Sequence, residues 1–365
     1  MDRSISSDDM SAAEAIVRNP LPDVILFPTY AVYETATGKW KVVVRGIAFH
    51  LVPYNLRHRM ALWGLLRYMR ERPGEESLTL FEERIRWFAS VPGNSASIVI
   101  RIGERLFPLD ELSNARGQFA GTIELTQEEV DGLQALRPGT DGWLTIAAVR
   151  RQDPTVELSR CSVQLVAPQG TSVITDIDDT IKRTCVLDRK LMLVNTFLRA
   201  FEPIEGMAKA LAEWSEEGLP IHYVSSSPWQ LYGALKRFHG DEGFPEGSIH
   251  LRTFRLRDQM VRKMLFLPRG DKAPTIRNLL KTFPQRQFLL VGDSGERDPE
   301  IYGALARKFP TQIARIYIRS VPERPVDDLR KIRAFRELPR ESVVWFDDPA
   351  EIRDRVAAEF APSAS

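Results

Sequence analysis

Disulfides cannot hold this chain together. Among its 365 residues the only cysteines are Cys161 and Cys185, too few for a cross-linked framework and without the spacing of a zinc site. A reducing cytoplasm is the compartment that suits it. No window approaches the roughly 20 apolar residues that span a bilayer, so the chain is expected to be soluble or at most peripheral to a membrane. The start lacks the basic and apolar parts of a secretory signal. Instead it is polar and Ala-rich, with Asp2, Asp8, Asp9 and Glu14, and residues 1–22 read as a disordered lead-in. Net charge is also missing: 50 Lys and Arg oppose 49 Asp and Glu, leaving +1. No global field draws the protein to nucleic acid, and any attraction to anions must be local. Neither an internal repeat nor a low-complexity tract is present.

A chain of this length predicts about two domains on a prior of roughly 150 residues each. The first, over 23–168, is read as β-sandwich-like with helical insertions. Val24 to Phe27 and Tyr30 to Tyr33 lead through Thr37-Gly38 into Trp40 to Phe49, a hairpin. Further strands are expected over Ser97 to Ile102, Gln118 to Leu125, Gly142 to Val149 and Cys161 to Val166. Two helical patterns interrupt them. Asn55 to Arg72 carries Leu56, Met60, Trp63, Leu66 and Met69 at helical spacing, with Arg57, His58, Arg67 and Arg70 opposite. Such a helix suits an anionic bilayer surface, and it equally suits packing on the sandwich. Leu78 to Ala89 reads as a second packed helix.

Ala167-Pro168-Gln169-Gly170 marks the boundary. Beyond it, over 169–360, apolar strands alternate with helices, which predicts an α/β fold with a parallel sheet covered on both faces. Thr171 to Thr175 is a β-branched run, so Asp176-Ile177-Asp178-Asp179-Thr180 emerges at the carboxyl end of a buried strand. Extended alternation sends Asp176 and Asp178 to one side and Asp179 to the other. Paired acids repel, and a hard cation bound through oxygen relieves them. Ser225-Ser226-Ser227 then ends the strand from Ile221. Lys272 opens a helical pattern over Thr275 to Phe283, and Asp293, Glu296 and Asp298 follow the strand Phe288 to Val291.

These four stretches stand in the order of the motifs of the haloacid-dehalogenase-like phosphatases, which the chain resembles. Asp176 to Lys182, Tyr223 to Trp229, and Gly292 to Glu296 with Asp298 to Tyr302 resemble, more narrowly, the actin-patch type of phosphatidate phosphatase, itself distantly similar to the lipins. The likeness runs over most of residues 24–350. It implies a Rossmannoid sheet and a Mg²⁺-dependent phosphatase working through an aspartyl-phosphate. Asp176 would be the nucleophile and Asp178 the proton carrier, with catalytic support from Ser225 and Lys272. Mg²⁺ would lie among Asp176, Asp178 through its carbonyl, and Asp293, with Asp298 and Glu296 orienting its waters. Ser225, Ser226, Lys272 and Thr180 are grouped on the substrate side, though Thr180 suits fixing the turn better than touching phosphate. Lys263 competes with Lys272, which is preferred because it begins a helix.

In the resembled superfamily an insertion after the first motif forms a cap. Here it is Ile181 to Glu205, with Leu191, Leu193, Val194, Phe197, Leu198 and Phe201 as an apolar face. That face could seat a membrane-resident substrate or pack as an ordinary helix. Between Arg252 and Lys272 a local excess of arginine suits anionic headgroups, at about 1 kcal/mol per well-placed charge, and also suits a solvated loop. Three functions follow: a phosphatase acting on phosphatidate or a similar lipid phosphomonoester to give diacylglycerol and phosphate; the same chemistry on a soluble phosphomonoester or phosphoprotein; or a non-catalytic lipid- or protein-binding module. Both Asp176 and Asp178 argue against the last, since a mere phosphate binder has no use for a second acid.

Overall fold

A computed structural model describes residues 23–51, 64, 66–68, 74–88, 90–135, 142–252, 272–321 and 333–360. The lead-in over 1–22, most of the basic helix over 55–72 and the Arg-rich stretch over 253–271 lie outside the described residues.

The N-terminal region is a sheet of nine strands: β1 (Asp23–Leu26), β2 (Thr29–Glu34), β3 (Lys39–His50), β4 (Val91–Pro92), β5 (Val99–Ile102), β6 (Arg105–Pro108), β7 (Gln118–Thr126), β8 (Trp143–Arg150) and β9 (Asp153–Val166). The main path runs β1-β3-β2-β9-β8-β5-β6, with β4 and β7 also paired to β3. Gly38, at φ +66°, makes the turn of the β2–β3 hairpin. Pairing is antiparallel except between β2 and β9, which run parallel. The sandwich-like character comes from one sheet folded over a shared core: Val24, Ala31, Val44, Ile100, Ile123, Ile146 and Val163 meet in it. Among the described residues this region also holds the helices α1 (Glu75–Phe88) and α2 (Gln127–Ala135). The second was not expected, because its single buried residue, Val130, gives almost no apolar stripe.

From Gly170 the chain builds a second sheet of six strands: β10 (Gly170–Thr175), β11 (Ile221–Pro228), β12 (Ser248–Arg252), β13 (Arg286–Asp293), β14 (Ile313–Arg319) and β15 (Val343–Phe346). Every pairing in it is parallel, in the order β12-β11-β10-β13-β14-β15. Among the described residues the helices of this part include α3 (Arg189–Phe197), α4 (Met207–Glu216), α5 (Tyr232–Asp241), α6 (Ala273–Thr282), α7 (Asp298–Lys308) and α8 (Ala350–Phe360). Both faces are covered, and period-two alternation shows it. Val173, Leu289 and Val291 join the core under α3, α4, α5 and α8, while Ile174, Phe288 and Leu290 join that under α6 and α7. Strand β10 sits centrally, with β11 on one side and β13 on the other, so the winding reverses there. Open parallel sheets have their crevice at such a point, outside the carboxyl ends of the strands.

Two features join the sheets. Arg286 is buried and forks onto Ala167 O at 2.7 Å, Thr171 O at 2.5 Å and Ser172 Oγ at 2.9 Å, and also reaches Gln169 O. It thereby pins the segment that leads from β9 into β10. On the other flank Arg45 Nη1 lies 2.9 Å from His250 Nδ1, and Ser248 Oγ bridges His250 Nε2 (2.9 Å) and His222 Nδ1 (2.7 Å). Tyr30 of β2 packs on both histidine rings.

The insertion is a correction to one expectation. Leu193, Val194, Phe197 and Leu198 are at most 4% exposed and lie in the core with Phe81 and Phe88 of α1. Those four side chains pack inside the protein and are unavailable to seat a lipid, while Leu191 and Phe201 of the same face are half-buried. Among the described residues no helix is long and apolar enough to cross a membrane.

Burial, followed by repulsion from Arg286 and Arg45, pushes His222 down to about 3 from its ordinary 6.5. The unfolded chain therefore takes up a proton near pH 6.5 that the folded chain refuses until about pH 3. Stability is unaffected above pH 6.5 and falls through the window below it, by about 1.4 kcal/mol per pH unit for this group. His222→Asn should flatten the pH dependence of urea unfolding between pH 6 and 4 by about that slope. An unchanged slope would contradict this.

Candidate active site

The site grows from the ends of β10, β11 and β13. Asp176 follows β10 directly, and its backbone N–H donates to Val291 O at 2.9 Å, locking it beside β13. Ile177 turns into the core between the two buried acids Asp176 and Asp178. Asp179 then adopts φ +57°, a left-handed conformation. Its carboxylate makes this tolerable: Oδ1 accepts from Thr184 N and Cys185 N, and Oδ2 from Val186 N, all at 2.7 Å. Arg319, at the end of β14, donates to Asp179 O at 2.9 Å. The residue that alternation sends away from the site thus organises the loop that closes it.

Asp176 is fully buried. Its Oδ2 accepts from Thr180 Oγ1 at 3.2 Å, so Thr180 orients the first acid. Lys272 Nζ lies 2.7 Å from Asp176 Oδ1, 2.9 Å from Glu296 Oε2 and 2.9 Å from Asp298 Oδ1. Lys272 is the N-cap residue of α6, and its buried ammonium meets three acids at once. Lys263 lies outside the described residues.

Asp293 ends β13 and is also fully buried. Gly295 N and Glu296 N donate to its Oδ1 at 2.5 and 3.0 Å. Gly292 matters here because a Cβ would come within 2.4 Å of Asp298 Oδ2 and 2.7 Å of the Tyr302 ring. Only glycine lets the first turn of α7 come this close. Asp298 Oδ1 accepts from Lys272, and its Oδ2 accepts from Asp293 N at 3.3 Å.

Asp178 has a different environment. Ser225 Oγ and Ser227 Oγ donate to its Oδ2 at 2.9 and 2.7 Å, and Thr184 Oγ1 donates to its Oδ1 at 2.8 Å. Lys182 Nζ stands 2.9 Å from Oδ1 and is itself buried. Ser226 is half-buried at the same strand end. Ser227, Thr184 and Lys182 carry roles the sequence did not reveal. The available signal for Lys182 was a lysine four residues after Asp178, close enough in sequence to pair with it.

The electrostatics divide the acids into two groups. Burial opposes ionisation of Asp178, but Lys182 and the hydroxyls hold it well below the usual carboxylate range. Burial, with repulsion from Asp298, Glu296 and Asp293, pushes Asp176 well above that range although Lys272 pulls the other way. Asp293 is raised by burial and by Asp298, and Glu296 chiefly by burial. Lys272 keeps its proton far beyond the usual range: burial opposes this, and Asp176, Asp298 and Glu296 outweigh it.

Carboxylates therefore outnumber ammonium groups in a buried place, which leaves room for a cation. Asp176, Asp293 and Glu296 each offer an oxygen, all within 4.8 Å of one another. Asp176 Oδ1 and Asp293 Oδ2 are buried with no hydrogen-bond partner, the Lys272 contact of the former lying outside hydrogen-bonding geometry. Oxygen-only donors of this kind fit a hard divalent ion such as Mg²⁺. Glu296 joins the convergent set, whereas both oxygens of Asp298 are engaged by Lys272 and Asp293 N.

Residues 171–320 match the family model described as the catalytic domain of phosphatidate phosphatase APP1. The chain belongs to this family. It is 33% identical over 257 residues to phosphatidate phosphatase APP1 of Saccharomyces cerevisiae, a match covering 67% of this chain and 41% of that protein. An uncharacterized protein of Schizosaccharomyces pombe is 30% identical over 174 residues, covering 47% of this chain and 28% of the other. The chain thus spans less than half the length of these relatives. Every site residue described above in this APP1-type catalytic domain, from Asp176 to Asp298, falls within the matched stretch.

Asp179→Ala removes the acceptor of three backbone N–H groups at a left-handed residue. It should cost about 3 kcal/mol of stability and expose the amides of residues 184–186 to rapid hydrogen exchange, with β10 still protected. Retained protection of those amides would show that Asp179 does not organise the loop.

Proposed function

We propose that this protein is a Mg²⁺-dependent phosphatase of the haloacid-dehalogenase-like type that hydrolyses phosphatidate to diacylglycerol and phosphate. The observation that carries the reading is the pairing, at one strand end, of a buried acid beside Lys272 and a second acid held by Ser225. The family and the yeast relative, named a phosphatidate phosphatase, support the lipid substrate. In this reading residues 1–22 are a lead-in, 23–168 a β-sandwich-like domain and 169–360 the phosphatase domain. The protein works in the cytoplasm and meets anionic membrane peripherally.

Asp176 attacks phosphorus in line, forming a P–O bond to its carboxylate as the ester P–O bond breaks. Asp178 gives its proton to the departing alkoxide. Water then attacks the phosphorus of the aspartyl-phosphate, Asp178 takes a proton from that water, and inorganic phosphate leaves with Asp176 regenerated. As it stands, ion-paired Asp178 is in the base form that the water step needs. For the first step Asp178 carries the proton that it took from water in the preceding turnover; Ser225, by turning its hydroxyl to a phosphoryl oxygen, withdraws one donor from that carboxylate and favours its protonated form, while Ser227, Thr184 and Lys182 stay in place.

Lys272 neutralises charge on Asp176 and on the phosphoryl group. Ser226 adds a donor on the substrate side, and Thr180 holds the second oxygen of Asp176. Asp176 and Asp293, with the Asp178 carbonyl, would hold Mg²⁺; Glu296 would join them from the same convergent set, and Asp298 would steady the site through Lys272 and Asp293 N. The ion, when bound, supplies charge compensation that lets an anionic nucleophile meet an anionic ester.

A soluble phosphomonoester is the second reading, favoured by the burial of the α3 apolar face. Phosphate release from dispersed phosphatidate, lysophosphatidate and a soluble ester, with and without Mg²⁺, separates the two. Release from phosphatidate that stops on chelation and falls at least about 10³-fold in Asp176→Asn is expected. Turnover of the soluble ester alone would defeat the lipid substrate, and full activity of Asp176→Asn would defeat the mechanism.

A further inference from the structure

Arg84 belongs to α1, in the N-terminal region, yet it leads to the catalytic acid. It is 5% exposed. Its Nη1 donates to Thr196 O and Arg199 O, both at 2.7 Å. These carbonyls close the C-terminal end of α3, where unsatisfied acceptors collect and a cation is favoured. The guanidinium also lies over Phe201, with Cζ 4.2 Å from the ring centroid.

Lys182 Nζ lies 4.7 Å from the centroid of the same ring, and 2.9 Å from Asp178 Oδ1. Backbone pairing sets the ring there: Arg183 N donates to Glu202 O at 2.8 Å, and Ile204 N donates to Ile181 O at 2.9 Å. The segment carrying Phe201 is therefore a ribbon partner of the segment carrying Lys182. One end of that ribbon is anchored by Arg84 through the carbonyls before it. A tie serving only to dock α1 on α3 needs the carbonyl bonds alone. Placing a buried cation over Phe201 adds a contact that bears on where the ring, and hence the Lys182 ammonium, can sit.

We propose that Arg84 is a positioning residue for phosphoryl transfer: through Phe201 and Lys182 it fixes where the Asp178 carboxylate stands, so the N-terminal region completes the catalytic apparatus. This rests on the phosphatase reading. Displacing a reacting group by about 1 Å can cost about a hundredfold in rate, so a contact two residues removed is expected to act mainly on turnover.

The test uses the full chain, phosphatidate in detergent micelles and Mg²⁺. Arg84→Met should lower kcat about tenfold with KM within about twofold, and Arg84→Lys, which keeps a cation over the ring, should recover much of the loss. Lys182→Met should lower kcat at least as far, and Arg84→Met should add less than about twofold on top of it, because both act on one element. Glu83→Gln, which breaks the surface ion pair between α1 and Arg237 of α5, is the docking control and should leave turnover unchanged.

A second readout does not use activity. With ¹³C-labelled lysine, the Lys182 ε-carbon signal, identified by its loss in Lys182→Met, should carry a ring-current shift. It should move in Arg84→Met and in Phe201→Leu, and stay in Glu83→Gln. Should Arg84→Met fail to fold, Arg84→Lys and Phe201→Leu carry the same comparison, with intermediate losses of kcat expected. Wild-type kcat in Arg84→Met, losses that multiply in the double variant, or an unmoved Lys182 signal would overturn the proposal and leave the phosphatase reading standing. No phosphate release by the unsubstituted chain from any ester would overturn both.

Discussion

The structure depends on concentrated negative charge held out of water at the carboxyl ends of two adjacent strands. Asp176 and Asp293 are fully buried, one after β10 and one at the end of β13, and the parallel pairing of those strands forces them together. Isolated carboxylates do not survive in such a place without a counter-charge. Lys272 supplies part of it, touching Asp176, Glu296 and Asp298 together. The remainder leaves oxygen atoms unpartnered at a spacing suited to a hard cation. A site so arranged is poised for a reaction in which anionic groups must approach one another.

Around this centre the chain separates two kinds of acid. Asp178 is surrounded by donors from three segments, the strand end at Ser225 and Ser227, the loop at Thr184, and Lys182. Those donors favour its ionised form, whereas burial and neighbouring acids work against ionisation of Asp176 and Asp293 until a counter-charge is present. Asp179, next to Asp178 in sequence, spends its carboxylate on holding the loop from Thr184 to Val186 by its backbone. Two residues apart in sequence, Asp176 and Asp178 thus have opposite proton affinities, and environment alone makes the difference.

Much of this was legible in the sequence. The β-branched run before Asp176, the strand Phe288 to Val291 before Asp293, and the alternation of strands and helices after Gly170 yield the parallel sheet, because strands buried on both faces must be apolar throughout. Lys272 was separable from Lys263 by its place at a helix start, and it is there that α6 begins. Other parts were hidden. Parallel pairing of β2 with β9 joins residues more than a hundred positions apart, which periodicity cannot foresee. Thr184 reaches Asp178 from a loop with left-handed residues at Asp179 and Cys185, and cysteine has no preference for that conformation. Helix α3 was read with two possible partners, and burial of Phe197 and Leu198 against α1 decides for packing. Arg84 was invisible as a site-linked residue, since its link runs across a tertiary contact.

The central claim is that side chains from two distant motifs form one cation site. Titration of the purified chain with Mn²⁺, followed by electron paramagnetic resonance of the free ion, tests it most directly. One tight site per chain is predicted, displaced by Mg²⁺ and weakened at least about a hundredfold by Asp293→Asn. Equal Mn²⁺ binding by Asp293→Asn and the unsubstituted chain would contradict it.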